Sequence, residues 1–572
     1  MDNRMASGKV SRLHTGRLLC AALCAALAGA AAGAPAKKAL VIMVDGLRAD
    51  AVENCDMPNV RRLMEGRWQD GYGCAWSLNG STIRDSTTES APNHVSIATG
   101  VTAAKHGVSN NADLLYGKCL YGCIRGNTLP TWLSRLAAAK PDMKPLYIFA
   151  WYGDLVMSPE YTVRFVFDRD EANSRYLAEL LPRADAPDAT MWYINLPDEK
   201  GHANGFYPYS AEYARAAADV DAMVSRALDA IAARPTFADE DWLVVFTADH
   251  GGWRRYHGMM SAQSYTIPFL VSRRGVPQGR MAGVPRTCDV ATTALAHFGV
   301  DFSGMDLDGA AVGGSLAVEP PARQLRDGLA AYFAFDGGSF ENGGSAAVTA
   351  ELQGKASRLV GGGRFGSGVR VSCKVEGAGS VLLGGSESLA FENGREFAVT
   401  MWCRTREEQT GDPVALSNKD WSAGRHPGLA LIASRGVDLS KTSGYSSSTE
   451  GDGKGFVFNC GLEGETRQDV GVYDQEYGEW NFYAATLGAD GILRFYQGRS
   501  DGKLYCISDD ASTAAVATGM PFYIGQDGTG AYTHPFIGDV DDVAIWTRSL
   551  SHDEVRSIWE GARNDKALAQ LL

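Results

Sequence analysis

A chain of 572 residues, with 67 acidic against 54 basic side chains and a net charge of −13, is too long for one hydrophobic core and has no dense run of Lys and Arg. Two or three domains are expected, and nucleic acid is not expected as a partner. The 11 cysteines neither dominate the composition nor form a second Cys/His pair near the Cys119-x3-Cys123 spacing, so a structural zinc ribbon is not indicated.

Arg4, Lys9, Arg12 and Arg17 precede an apolar stretch at 18–28 that is followed by small residues through Ala34. This is the layout of a secretory signal peptide over residues 1–34, which implies a secreted or periplasmic protein. The alternative is an uncleaved anchor, against which the apolar run falls short of the roughly 20 residues a spanning helix needs. No later stretch has that length and apolarity, so no transmembrane segment is expected after cleavage. Export permits disulfides; Cys119 with Cys123, and the even set Cys373, Cys403, Cys460 and Cys506, are the candidates.

From 37 to 312, short apolar runs alternate with helical patterns, which predicts an α/β domain with a mostly parallel sheet flanked by helices. The runs at 39–44 (ALVIMV), 191–196 (MWYINL) and 242–247 (WLVVFT) are predicted as buried strands, and 209–232 as a helix. Residues 313–326 turn to Gly, Pro and polar types and are predicted as a linker. From 327 to 572, short strand-like runs at 397–403, 455–459 and 480–485 between Gly-rich turns predict an all-β jelly-roll sandwich.

Each of the three N-terminal strands runs into a carboxylate: Asp45 in VDG, Asp198 in PDEKGH and Asp249 in ADHGG. Ligands of open α/β sheets bind beyond the carboxyl ends of the strands, so the three acids should face one crevice. Any one of them alone reads more readily as a turn residue than as a functional one. His202, His250 and His257 lie in the same segments, and carboxylate with imidazole is a donor set for zinc and related divalent cations. Six such groups could form two sites of three, with two cations relieving the repulsion between the acids. Ser90, in TTESAPNHVSIATG, meets Pro92 and then an apolar helical pattern. A hydroxyl at a helix start can cap the helix or act as a nucleophile on a phosphate held by that terminus.

With these residues in view, the segment 38–312 resembles the alkaline phosphatase superfamily, in particular its type I phosphodiesterase/nucleotide pyrophosphatase branch. The marks are VDGLR, S-x-P-N-H followed by TG and HG, PDxxGHxxG, and DHGG with a trailing HG. The resemblance implies that Asp45, Asp249 and His250 hold one metal with the oxygen of Ser90, and that Asp198, His202 and His257 hold a second. It implies further that Ser90 is the catalytic nucleophile, that Asn93 steadies a phosphate oxygen, and that His94 is structural. Relatives in this branch usually carry Thr where Ser90 stands, and their last His often lies farther from the Asp-His pair than His257 does. Residues 327–572 resemble laminin G or concanavalin A-like jelly rolls, most clearly at 536–559.

The expected activity is hydrolysis of small-molecule phosphate esters, diesters above monoesters, through a phosphoseryl intermediate with two divalent cations, Zn2+ foremost. A phosphomonoesterase is one alternative; a glycan- or surface-binding protein with a degenerate catalytic domain is another. The sandwich could bind a glycan or cell-surface ligand, and Asp539, Asp541 and Asp542 raise Ca2+ there against a reading as turn and edge residues.

Overall fold

A computed structural model describes residues 34–115, 130–151, 153–154, 162–165, 169–258, 261–317 and 323–572, the last span apart from 337–339, 372–378, 387–388, 390, 392–394, 407–408, 410, 423–426, 435–445, 452–454, 465, 474–475 and 535. The segment expected as a signal peptide lies outside the described residues, as do Cys119, Cys123 and Cys373.

The N-terminal domain is an eight-stranded sheet built from β1 (Ala36–Val44), β2 (Tyr72–Ser81), β3 (Pro145–Phe149), β4 (Thr162–Phe165), β5 (Ala189–Ile194), β6 (Glu240–Ala248), β7 (Thr266–Arg274) and β8 (Gly279–Arg280). Their order in space is β4-β3-β5-β1-β6-β7-β2-β8. From β4 through β6 every pair is parallel, whereas β7 runs antiparallel to both β6 and β2. Strand β1 explains why the sheet has two covered faces. Leu40, Ile42 and Val44 enter one apolar cluster, while Ala39, Val41 and Met43 enter another, so alternate side chains are buried on opposite sides. The helix Ala211–Ala232 covers the first face through Val220, Val224, Leu228 and Ile231. The helices Ser90–Thr99 and Asp289–His297 cover the second through Val95 and Leu295. As a result β5, β1 and β6 lie side by side with their carboxyl ends level, since Val44 is in register with both Ile194 and Ala248.

Residues expected as the start of a linker run beside β8: Ala282 N–H donates to Ser315 O and Ala317 N–H to Arg280 O. The sandwich follows from Leu329–Phe333 onward. Both of its sheets have eight strands; the second runs in the order Ser357–Leu359, Gly368–Val371, Gly538–Trp546, Phe397–Thr405, Asn481–Leu487, Ile492–Gly498 and Leu504–Asp510, and its eighth strand, Leu329–Phe333, also pairs with Gly538–Trp546. Inward residues such as Phe397, Val399, Phe458 and Phe495 fill the space between the sheets. The capped helix His552–Arg563 closes the outer face of the second sheet, its Trp559 ring stacked 5.7 Å from Trp402.

Two expectations for this half are corrected. Cys403, Cys460 and Cys506 are free thiols. Cys403 and Cys460 sit in the apolar layer between the sheets, where burial pushes both thiols up and leaves them as small hydrophobes. Asp539, Asp541 and Asp542 are not turn or edge residues but belong to the interior strand Gly538–Trp546, and their carboxylates already have protein donors. Arg370 and Arg404 donate to Asp539, the Phe365 N–H to Asp541, and Tyr332 Oη and the Leu568 N–H to Asp542. This arrangement lends no support to a Ca2+ site.

The two domains meet along several contacts. One is an ion-pair cluster in which His552 and Arg556, on the C-terminal helix, bracket Glu53. Burial pushes Glu53 up, but the hydrogen bond and charge of His552 and the charge of Arg556 outweigh it and hold the carboxyl down at about 2. An acid with a depressed folded pKa stabilises the fold above its unfolded value and loses that contribution as pH falls through the folded one. Glu53→Gln should therefore cost about 2 kcal/mol at pH 7 after solvent screening. In urea titrations the gap to wild type should close between pH 5 and pH 2; a gap independent of pH would refute the assignment.

Candidate active site

Because β5, β1 and β6 are neighbours, the three acids that follow them converge. Gly46 makes the convergence tight: its φ is +67°, and a Cβ there would stand 2.8 Å from Asp198 Cα and from the Phe206 ring. Asp45, Asp249 and His250 are buried, and Asp198 is nearly so. Burial, with the charges of Asp249 and Asp198, pushes Asp45 well up; burial with Asp249 does the same to Asp198. Asp249 is held low against burial by the two histidines that flank it, His250 and His94. Asp45 Oδ1 and Asp198 Oδ1 are buried without a hydrogen-bond donor.

The histidines reveal what would satisfy those oxygens. His202 Nδ1 lies 2.8 Å from Arg255 O, His257 Nδ1 lies 3.1 Å from Thr88 O, and His250 Nδ1 lies 2.6 Å from Gly251 O. A carbonyl only accepts, so each Nδ1 carries the proton, and in the neutral imidazole Nε2 then presents a lone pair. The Nε2 atoms of His202 and His257 face each other at 3.0 Å, with Asp198 oxygens 3.6 and 3.5 Å away. Two lone pairs and a carboxylate cannot bond to one another, whereas a cation bonds to all three. His250 Nε2 stands 3.2 Å from Ser90 Oγ, 3.2 Å from Asp45 Oδ1 and 3.3 Å from Asp249 Oδ2. Burial lowers the pKa of both His250 and His257, keeping them neutral. The donor set, the orphaned oxygens and the opposed lone pairs all fit divalent cations.

All six residues expected as ligands, together with Ser90, are thus brought to one crevice. Ser90 opens the helix Ser90–Thr99, with extended backbone at Glu89 before it. Asn93 is the exception. It is fully buried, its Oδ1 accepts from Ile83 N–H and its Nδ2 donates to Glu89 O, so both ends of the amide are spent on folding the loop. The amide beside Ser90 is instead Asn111, whose Oδ1 accepts the Ala91 N–H at 2.8 Å and whose own N–H is held by Glu89. Nothing local marks Asn111, which lies in a polar SNNAD stretch 21 residues beyond Ser90.

His94 is also more than a core histidine. It is fully buried, with Nδ1 2.9 Å from Asp154 Oδ1 and Nε2 3.0 Å from Asp249 Oδ2; Tyr147 Oη donates to the other Asp154 oxygen. With carboxylates on both sides, both ring nitrogens are donors. Burial alone would lower its pKa, but Asp154 and Asp249 raise it well above the usual range. Although His94 Nε2, Asp45 and Asp249 are near enough to surround an ion, an imidazolium has no lone pair for a metal. It is a buried counter-charge.

An α/β sheet that delivers carboxylates from three adjacent parallel strands to one crevice, with imidazole lone pairs and a serine at a helix start, defines a metal-dependent hydrolase type of site. Residues 39–254 match the family described as Type I phosphodiesterase / nucleotide pyrophosphatase, and residues 376–556 match the Concanavalin A-like lectin/glucanases superfamily. The N-terminal domain is thus similar to that phosphodiesterase family, and the domain behind it to the concanavalin A-like one. A Schizosaccharomyces pombe protein described as an uncharacterized pyrophosphatase/phosphodiesterase is 29% identical over 227 residues, which are 37% of this chain and 44% of that protein. The chain thus spans less than half the length of this relative. Among solved structures, murine ectonucleotide pyrophosphatase/phosphodiesterase 5 aligns with 14% identity over 46% of this chain and 96% of its own, at a TM-score of 0.36. A domain of an extracellular arabinanase from Geobacillus stearothermophilus aligns with 12% identity over 40% and 97%, at a TM-score of 0.29.

If the carboxylates repel one another in the absence of cations, removing one should relieve the metal-free protein. Asp45→Asn is expected to raise the melting temperature of chelated protein by a few degrees, an effect of about 1–2 kcal/mol. The same variant should lose most of the stabilisation that added zinc gives wild type. Thermal melts of both proteins with EDTA and with zinc check this; a chelated variant melting below chelated wild type would refute it.

Proposed function

We propose that this protein is an exported phosphodiesterase that cleaves small phosphodiesters through a covalent phosphoseryl intermediate on Ser90. The observation that carries this reading is the Ser90 hydroxyl at a helix N-terminus, 3.2 Å from His250 Nε2 and beside buried carboxylates with unsatisfied oxygens. Two divalent cations, zinc by preference of the donor set, would be held by Asp45, Asp249 and His250 with Ser90 Oγ, and by Asp198, His202 and His257. Bound there, they supply charge stabilisation to the entering and leaving oxygens and lower the pKa of the attacking group.

The chain's own residues do the rest. Ser90 Oγ attacks phosphorus in line, the P–O bond to the leaving alcohol breaks, and the alcohol departs with a proton. Water then attacks the phosphoserine from the opposite side, the P–O bond to Ser90 breaks and the phosphate monoester leaves. N–H groups of the first helical turn favour the phosphate oxygens. Asn111, fixed through its oxygen, takes the phosphate-holding role first expected of Asn93, since its amide N–H2 is left to donate beside Ser90. His94 and Asp154 hold Asp249 in place.

Diesters are favoured over monoesters because two of the basic side chains near the motifs are already engaged. Lys105 pairs with Asp306 and Asp308, and Lys200 with Glu199, so neither is poised for the second negative charge of a monoester. Export is supported by the basic-then-apolar N-terminal sequence. Among the described residues no helix is long and apolar enough to cross a membrane. The concanavalin A-like family of the sandwich supports carbohydrate as an accessory ligand.

The test is the ratio of kcat/KM for bis-p-nitrophenyl phosphate to that for p-nitrophenyl phosphate in zinc-loaded protein, expected well above one. Ser90→Ala should lower kcat by about 10³-fold or more, with zinc content unchanged and no phosphoserine trapped by acid quench. Turnover by Ser90→Ala at the wild-type rate would sink the mechanism.

A further inference from the structure

We infer that the C-terminal sandwich is a positioning part of the catalytic crevice, acting on His250 through Gln263; this rests on the function proposed above. The strand Leu504–Asp510 is the last of its sheet. An edge strand presents unpaired backbone groups, which native folds cover or protect. Here the short helix Ala262–Tyr265 of the N-terminal domain lies against it, and Gln263, only 5% exposed, donates from Nε2 to Ser508 O at 2.7 Å.

From Gln263 the connection to the reacting group is short. The Gly251 N–H donates to Ser264 O at 2.8 Å, and Gly251 is pressed so closely on this helix that a Cβ there would meet Gln263 O at 2.1 Å. Gly251 O accepts from His250 Nδ1, and His250 Nε2 faces Ser90 Oγ. The peptide that fixes the tautomer and aim of His250 is therefore wedged against a residue anchored on the other domain.

The same edge strand reaches the second imidazole pair independently. Tyr505 meets the Tyr209 ring edge-on at 5.3 Å, and Tyr209 stacks on Tyr207 at 4.6 Å. The Tyr207 ring lies directly on Gly205, the residue that ends the helix bearing Asp198 and His202. Both metal-facing loops thus lean on one strand of the sandwich. Ligand geometry and nucleophile alignment tolerate errors of only a few tenths of an ångström, so loosening either support should be felt in the chemical step.

The test uses full-length protein. Gln263→Glu keeps the side-chain volume but replaces the N–H2 donor with an acceptor facing Ser508 O. Tyr505→Leu removes the second support from the sandwich side. Arg280→Ala is the control: it breaks the exposed Arg280–Asp553 pair across the same domain junction, on β8, away from both loops. With bis-p-nitrophenyl phosphate, Gln263→Glu should lose about tenfold in kcat with KM within about twofold. Competition titration should find zinc bound several-fold more weakly by Gln263→Glu and by Tyr505→Leu, with Arg280→Ala like wild type in both readouts. Wild-type kcat and zinc affinity in Gln263→Glu would overturn the proposal, as would an equal loss in Arg280→Ala. Should Gln263→Glu fail to fold, unchanged zinc affinity in Tyr505→Leu would overturn it instead. If wild type itself does not cleave the diester, the functional reading fails, while the zinc affinities still decide the positioning role.

Discussion

Three carboxylates forced together at the ends of β5, β1 and β6 set the conditions that the surrounding residues meet. Two like charges about 4 Å apart near a protein surface repel by about 4 kcal/mol, and burial makes matters worse. Part of the repulsion is answered from within by His94, an imidazolium clamped between Asp154 and Asp249. Asp45 receives a hydroxyl from Tyr193 at 2.6 Å, and Asp249 receives the backbone N–H groups of Gly46 and His250. What remains, an orphaned oxygen on Asp45 and another on Asp198, is what the polypeptide itself does not satisfy. The fold is therefore less stable than it could be at the point where it has chemistry to do.

The histidines make the complementary contribution, and backbone carbonyls are the means. Each of His202, His250 and His257 spends its Nδ1 proton on a carbonyl of another loop or of its own turn, which fixes the ring and aims the Nε2 lone pair. Loop–loop contacts thereby set the aim of the three rings. His257 ties its loop to Thr88, just before Ser90, and His202 ties its helix to Arg255. Displacing one loop would misalign a ring belonging to another, so the crevice acts as a unit rather than as six independent residues.

The sandwich enters this unit from outside. Its own core is complete, with an apolar layer between the sheets and a helix over one outer face. It nevertheless leaves one strand edge to be covered by the N-terminal domain, at the segment that supports the His250 loop. A domain that protects its edge in this way gains solubility and lends its rigidity to a neighbour whose functional residues lie on loops.

The parts legible in the sequence are those that local pattern controls. Strands β1, β5 and β6 appear as apolar runs because both faces of a parallel sheet are buried, and the acid that follows each run, directly for Asp45 and Asp249 and on the first turn of the next helix for Asp198, travels with its strand wherever the sheet places it. The helix position of Ser90 follows from its flanking residues, whereas the free thiols and interior aspartates of the sandwich depart from expectation because burial, not spacing, decides their state. The order of the strands is a tertiary matter, and it is the adjacency of β5, β1 and β6 that turns three separate acids into one crevice. The same holds for Asn93 and Asn111, which are alike in composition; backbone partners consume one amide and bring the other to Ser90. Asp154 behind His94, and Ser508 behind Gln263, lie 60 and 245 residues from their partners. Sequence alone determined which chemistry the chain carries; only the packing of distant segments decided which copies of each residue type face the reaction, because hydrogen bonds and burial act through space and leave no periodic trace along the chain.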